Sequence, residues 1–267
     1  MTPDIPQGQS LAGCKRRRLL FAGLAVLVAA GILCWTSVLK DRIIPKRFGV
    51  VERQRIYRCG QLSAPLVKKV LAEHNIRVIV DLTSDDPNNA DQQAEEKAAA
   101  ELNIKTLRFP LGGNGTGDVN EYAGAVIAIA DAQKNNLPVL VHCAAGAQRT
   151  GGVIAVYRLL VQKKDPAFVI GEMKRYGWNP KSNPALLPFL NSNMAELARL
   201  LKQAGVIDKI PEPLPELPQN SWCDWPNRTN RYSSGIFSGS SYSSSSDPEA
   251  ILFSVLRASK SSSFINK

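Results

Sequence analysis

The sequence predicts an α/β domain with a mainly parallel central sheet flanked by helices, preceded by an N-terminal transmembrane helix and followed by a disordered C-terminal tail. Three observations carry this expectation. Runs rich in Val, Ile and Leu at Ile76–Leu82, Ile104–Leu111 and Val139–Val141 have strand length, and they alternate with stretches of helical periodicity, the pattern of parallel strands joined by helices. Leu19–Leu39 carries no charge and is long enough to cross a bilayer at about 20 residues. Pro211–Pro218 is proline-rich and Ser233–Ser246 is mostly serine, glycine and tyrosine, compositions that supply no core.

Residues 1–18 read as a basic N-terminal segment, because Lys15-Arg16-Arg17-Arg18 stands directly before the apolar run at 19–39. A cleaved signal peptide is the rival to an anchor, since Ala29-Ala30-Gly31 offers small residues, but the apolar run continues past them. Cys34 follows Leu33 rather than a small residue, which argues against a lipoprotein cleavage site. Lys40, Arg42, Lys46 and Arg47 offset the upstream charges, so orientation rests on the basic start: N-terminus in the cytoplasm, single pass, remaining chain extracytoplasmic.

Residues 40–47 read as a linker ended by Pro45, and 48–210 as the folded domain. Val50–Tyr57 alternates loosely, as a strand or hairpin. Ser63 is an N-cap ahead of Pro65, with Leu66, Val67, Val70 and Leu71 on the apolar face of a first helix. Ile76–Leu82 is a central strand, and Asp81 near its end suits a structural acid that binds loop amides. Asp85-Asp86-Pro87-Asn88-Asn89 forms a turn into a helix over Ala90–Leu102, and Ile104–Leu111 is the next strand. A helix from Val119 to about Asn135, a helix from Thr150, another from Pro166 to about Tyr176 with Asp165 as cap, and Ala185–Ala204 complete the domain. Residues 211–267 are assigned to the tail, where Trp222 and Trp225 suit a local or partner anchor. Arg175, Tyr176 and Trp178 suit helix packing or the rim of a site.

The stretch Val139–Gly152 concentrates the chemistry. A strand runs into Cys143 and a loop of small residues, and a helix begins after Arg149, so loop amides and helix dipole converge on one point. Such surroundings lower a thiol from about 8.5 toward roughly 3.5–7.5, making Cys143 a thiolate nucleophile at neutral pH. Arg149 offers a planar charged fork for two oxygens of a tetrahedral anion. Gly146 lets the loop close, and Ala144, Ala145, Ala147 and Gln148 complete an anion cradle. The Thr150 hydroxyl suits a hydrogen bond to the cysteine sulfur, and His142 suits orientation of the loop rather than a base. Leu111–Asp118, rich in glycine, ends at Asp118, which suits either a general acid or the N-cap of the following helix. Asp85, Asp86 or no dedicated acid are the alternatives. The glycines resemble a phosphate cradle but lack G-K-[ST] or G-x-G-x-x-G, so a nucleotide site is discounted.

His142-Cys143, five residues, then Arg149-Thr150-Gly151 resembles the signature loop of the cysteine-dependent protein tyrosine phosphatase superfamily. Ile56-Tyr57-Arg58-Cys59-Gly60-Gln61-Leu62 looks like the entry motif of its compact dual-specificity and atypical bacterial branch, with Cys59 where serine is usual. The low-molecular-weight phosphatases open their chain with a similar loop and fit badly. The resemblance covers about Phe48–Gly205. It implies metal-independent hydrolysis of phosphotyrosine or phosphoserine/threonine through a phosphocysteine on Cys143, with Arg149, Thr150 and an acid at Asp118 assisting. No cofactor and no metal is implied. The loop lacks the additional lysines of phosphoinositide-directed members, although a phosphoinositide or inositol phosphate stays open as substrate. The rivals from other classes are a membrane-tethered phosphoprotein-binding module and a sulfurtransferase.

The net charge of +10 is uneven, with eight Lys/Arg against two Asp/Glu before Phe48. That places most of the excess beside the apolar run, which indicates a membrane surface rather than nucleic acid. Five scattered cysteines, odd in number and without C-x-x-C, indicate neither a zinc site nor a disulfide framework. Cys59 suits a reversible disulfide with Cys143 if the two lie close.

Overall fold

The computed structural model describes residues 40–218 together with Phe21, 23–24, 26–33 and Trp35. Within the expected anchor, described residues 26–33 are helical and exposed; 19–20, 22, 25, 34 and 36–39, the basic segment and the tail from 219 onward lie outside the described residues. Among the described residues no helix is long and apolar enough to cross a membrane.

A five-stranded sheet forms the centre, in the order β1-β2-β5-β3-β4. Its strands are β1 Gly49–Glu52, β2 Ile56–Gly60, β3 Val78–Asp81, β4 Lys105–Arg108 and β5 Val139–Cys143. The pairings β2–β5, β3–β5 and β3–β4 are parallel, as expected, but β1 pairs with β2 antiparallel, so the sheet is mixed. The cause is local: Gln54, at φ +59°, turns the chain back on itself, and the Arg55 amide donates to the Glu52 carbonyl at 3.2 Å.

Side chains alternate across this sheet. Ile56, Val78, Val80, Val139, Val141 and Cys143 face one core, and Tyr57, Cys59, Ile79 and Leu140 face the other. Helices α1 Ala64–Glu73 and α2 Ala90–Glu101 cover the Cys59 face. Helices α3 Val119–Lys134, α4 Gln148–Val156, α5 Pro166–Arg175 and α6 Leu186–Gln203 cover the Cys143 face. α4 continues as one π-helical turn, Tyr157–Val161.

α2, α3 and α5 start where the sequence predicts, α4 starts two residues earlier, at Gln148 rather than Thr150, α6 one later, at Leu186, and α1 differs in its cap. Asn89 caps α2 by accepting from the Asp91 and Gln92 amides, and Asp165 caps α5 by accepting from Ala167 and Phe168. Ser63 begins α1 but does not cap it: its hydroxyl donates to the Asp41 carbonyl at 2.9 Å, and Asp91 Oδ1 takes the Ala64 amide at 2.8 Å.

That bond is one of several. Residues 40–47, read as a short linker, lie against the domain. Lys40–Ile43 forms a helical turn, the Lys46 carbonyl accepts the Gly60 amide at 2.7 Å, and Lys46 Nζ sits 3.6 Å from Asp41. The opposite end is extended in the same way. Residues 211–218, assigned to the tail, pack on α6: Asn191 exchanges two 2.9 Å hydrogen bonds with the Leu217 backbone, and Leu217 is fully buried. One apolar residue and one amide supply the anchor that composition averaged over the proline-rich stretch conceals.

Candidate active site

β5 ends at Cys143 and α4 begins at Gln148, so the intervening residues must turn within a few positions. Gly146 makes the turn possible at φ +72°; a Cβ there would lie 2.5 Å from the Gly60 nitrogen. The loop is held from outside by its carbonyls. Ala144 O accepts the Gln61 amide at 3.2 Å, Ala145 O accepts Arg47 Nη1 at 2.9 Å, and Gly146 O accepts Arg58 Nη2 at 3.0 Å. Tying three consecutive carbonyls outward leaves the amides for the interior, and the Gly146 amide donates to Cys143 Sγ at 3.2 Å. α4 has no side-chain cap, so the Gln148 and Arg149 amides at its start are left for an anion while the Thr150 amide faces the Cys143 sulfur.

Cys143 is almost fully buried. Burial alone would push its thiol up, yet the Thr150 hydroxyl and amide, the Arg149 guanidinium and the Gly146 amide together hold it below the ordinary thiol range. The Thr150 hydroxyl is buried without a hydrogen-bond partner, and its influence falls on the Cys143 thiol, which it favours as thiolate. Arg149 Nη1 donates to the Leu82 carbonyl at 3.2 Å, fixing its side chain across the end of β3. Gln148 and Arg149 are half-buried, and Ala144 is exposed at the mouth. The expected loop residues are therefore brought together.

His142 points to the opposite face of the sheet. Its Nε2 donates to Glu95 Oε1 at 3.1 Å and lies 3.8 Å from Asp81 Oδ1, all three side chains being buried. Asp81 in turn accepts from the Thr83 amide at 2.9 Å and hydroxyl at 2.7 Å, the structural role expected of it, and pairs with Arg108 at 3.5 Å. Asp81, Glu95 and His142 are close enough to share a metal ion. Their charges already balance: Arg108 answers Asp81, and an imidazolium answers Glu95. Burial alone would push His142 down, but Glu95, Asp81 and the Cys143 sulfur outweigh it and push it up to about 9. A histidine raised in the folded state contributes stability that is complete below about 6.5 and lost as pH rises through about 9. The parent should accordingly lose roughly 2–3 kcal/mol across that window relative to Glu95→Gln, read by urea unfolding at each pH.

Asp118 is exposed and caps α3, accepting from the Asn120 amide at 2.8 Å and from Asn120 Nδ2 at 3.0 Å. Its loop is tied down rather than free: the Tyr122 hydroxyl donates to the Gly115 carbonyl, and Asn183 Nδ2 donates to the Asn114 carbonyl at 2.6 Å. A Cβ on Gly115 would meet the Gln148 carbonyl carbon at 3.1 Å, so the glycine-rich loop and the cysteine loop are in contact. Asp85 is occupied by Arg108 at 3.2 Å, and Asp86 caps its own turn through the Asn88 amide at 3.1 Å.

Cys59 cannot reach Cys143. It stands opposite His142 in the β2–β5 register while Gly60 stands opposite Cys143, so the two thiols face opposite sides of the sheet, both free. Burial pushes the Cys59 thiol well up, which makes it inert. The sequence reading missed Arg47, Arg58 and Glu95. For Arg58 a signal existed, a lone cation within the strand-like Ile56–Gly60.

Comparison with known proteins agrees with this geometry. A stretch of 63 residues is 38% identical to the dual specificity protein phosphatase OPG106 of vaccinia virus (strain Western Reserve), covering 23% of this chain and 37% of that protein. The chain thus spans little more than a third of that relative's length. The catalytic core of Siw14 from S. cerevisiae matches with a TM-score of 0.50 and 19% identity, over 64% of this chain and 96% of the other. TpbA of P. aeruginosa matches with a TM-score of 0.47 and 22% identity, over 58% of this chain and 88% of the other. A family model described as DSP-PTPase phosphatase fused to NAD+ kinase matches residues 30–181, which hold the whole sheet and the cysteine loop. With more than half of its length under that match, this chain belongs to the DSP-PTPase phosphatase family.

Proposed function

We propose that the chain is a phosphomonoesterase that works through a phosphocysteine. The observation that carries this reading is the lowered thiol of Cys143, held by the Gly146 amide, Thr150 and Arg149 in a loop whose carbonyls are tied outward. The Cys143 thiolate attacks phosphorus, and the P–O bond to the leaving group breaks as that oxygen takes a proton. Water then attacks the phosphocysteine, giving inorganic phosphate and regenerating the thiolate. Arg149 and the free amides at the start of α4 stabilise the transferring group in both steps.

A phosphorylated protein side chain is the proposed substrate, phosphotyrosine or phosphoserine/threonine. The second reading, a phosphoinositide or inositol phosphate, draws support from Lys46 and Arg47 docked beside the loop. Hydrolysis by the full chain of p-nitrophenyl phosphate, phosphopeptides and inositol phosphates under reducing, metal-free conditions tests the proposal. Phosphopeptide turnover at least about tenfold above the others in kcat/KM supports the first reading; phosphate binding without turnover of any ester supports a binding module instead.

Asp118 is the proposed acid, since its loop touches the cysteine loop at Gln148. Asparagine is as good an N-cap as aspartate, so Asp118→Asn removes the acid while keeping the helix start. An alkyl phosphate, whose leaving group needs the proton, should lose about 10²-fold in kcat, and p-nitrophenyl phosphate much less. Equal effects on both substrates would leave Asp118 as a cap alone.

Membrane anchoring through 19–39 is proposed on the apolar run and its flanking charges. Because residues 40–47 dock at the rim of the loop, and an extended chain spans at most about 3.3–3.6 Å per residue, the site would sit within roughly 30 Å of the bilayer. The full chain should resist carbonate extraction from membranes, a chain starting at residue 40 should not, and protease protection reads the proposed extracytoplasmic orientation.

A further inference from the structure

Arg58 is a guanidinium sealed inside the domain. It has no exposed surface, yet no carboxylate pairs with it among the described residues. Nη2 donates to the Gly146 carbonyl at 3.0 Å, and its carbon sits 4.1 Å over the Tyr176 ring. Nε and Nη1 are buried without partners. An isolated buried cation costs several kcal/mol unless something compensates it. Glu172, the nearest candidate on α5, is committed to Arg158 through contacts at 3.0 and 2.8 Å. What remains is the Tyr176 ring and the Cys143 sulfur.

The strand register puts Arg58 on the sulfur's side. Arg58 stands opposite Val141, on the same sheet face as Cys143, and its Nη2 lies 3.9 Å from where a Cβ of Gly151 would be. Arg149 approaches from the helix and the mouth, whereas Arg58 approaches from inside the core.

We propose that Arg58 is a positioning residue for Cys143, a second guanidinium that holds the Gly146 carbonyl outward, aims the Gly146 amide at the sulfur and balances the thiolate charge from within. The proposal rests on the phosphocysteine reading and deepens it. Its charge partners are named by the packing around it: Glu172 from α5 and Tyr176 just past its C-terminus, Cys143 from β5, and Cys59 from its own strand across the sheet. Burial draws Arg58 down to about 10, opposed by Glu172, Tyr176 and the two cysteines, so it is a cation throughout the neutral range.

The test is the pH dependence of Cys143 alkylation by iodoacetamide in the full chain, located by mass spectrometry, beside kcat and KM for p-nitrophenyl phosphate. Arg58→Met removes the hydrogen bond and the charge; Arg58→Lys keeps the charge and loses the fork. The alkylation midpoint should rise by about one pH unit or more in Arg58→Met and less in Arg58→Lys, with kcat at pH 6 falling about tenfold and KM within threefold of the parent. Rescue by lysine of part of the midpoint shift distinguishes this role from packing alone. A folded Arg58→Met with the parent's alkylation profile and kcat overturns the proposal, and if Arg58→Met does not fold, an Arg58→Lys identical to the parent in both does so. Alkylation needs no turnover, so a chain that hydrolyses no ester refutes the phosphatase reading while the midpoints still judge Arg58.

Discussion

Replacing Cys143 by serine is expected to lower phosphomonoester hydrolysis by at least about 10⁴-fold while leaving the fold intact. The two side chains differ by one atom, so the buried site accepts the change sterically. Their acidity differs far more. The interactions with Thr150, Arg149 and Gly146 hold a thiol below its ordinary range against the opposing effect of burial. The same surroundings leave an alcohol, many units less acidic, fully protonated at neutral pH. Steady-state assay with p-nitrophenyl phosphate reads the loss, and calorimetry with inorganic phosphate should show binding retained, since Arg149 and the loop amides are unchanged. Arg149→Lys should fall less, by about 10²–10³-fold, because an ammonium supplies charge without the planar fork. Turnover by the serine variant within tenfold of the parent would assign the chemistry to another group.

Gly146→Ala should be the most damaging single methyl group that the loop can receive. The backbone there has φ +72°, and the new Cβ would stand 2.5 Å from Gly60 N and 2.6 Å from Cys59 C and O. These are backbone atoms of β2, locked in parallel register with β5 at Cys59–His142 and Gly60–Cys143, so neither partner can yield without breaking the sheet. Overpacking and backbone strain together should cost about 4 kcal/mol of stability. Any folded fraction should also lose the Gly146 amide contact to sulfur, 3.2 Å in the parent, and with it part of the thiolate. Denaturant unfolding at constant m measures the first effect and alkylation the second. Gly113→Ala is the control: nothing lies within 4 Å of its Cβ position and its φ is not positive, so its stability should stay within about 0.5 kcal/mol of the parent.

Much of the site is written locally. A strand, a cysteine, small residues, an arginine and a helix follow one another between Val139 and Val156, and a loop closed over so few positions leaves little for the rest of the chain to choose. The helix starts at Asn89 and Asp165 are legible for the same reason, since a cap and its amides are two or three residues apart. Ser63 shows where this reasoning stops. Its hydroxyl satisfies Asp41, a partner 22 positions away that local pattern cannot nominate. Cys59 stops it differently: its separation from Cys143 depends on strand register, which sets the face of every side chain at once.

The sequence by itself determined the α/β class, the identity and order of the loop residues, and the thiolate chemistry they permit, because these follow from spacing along the backbone. Only the tertiary structure decided that β1 turns the sheet mixed, that residues 40–47 and 211–218 dock on the domain, and that Arg58 and His142 address the loop from opposite faces. Those outcomes depend on groups that burial forces to find partners across the chain, and such partners are chosen by three-dimensional proximity rather than by distance in sequence.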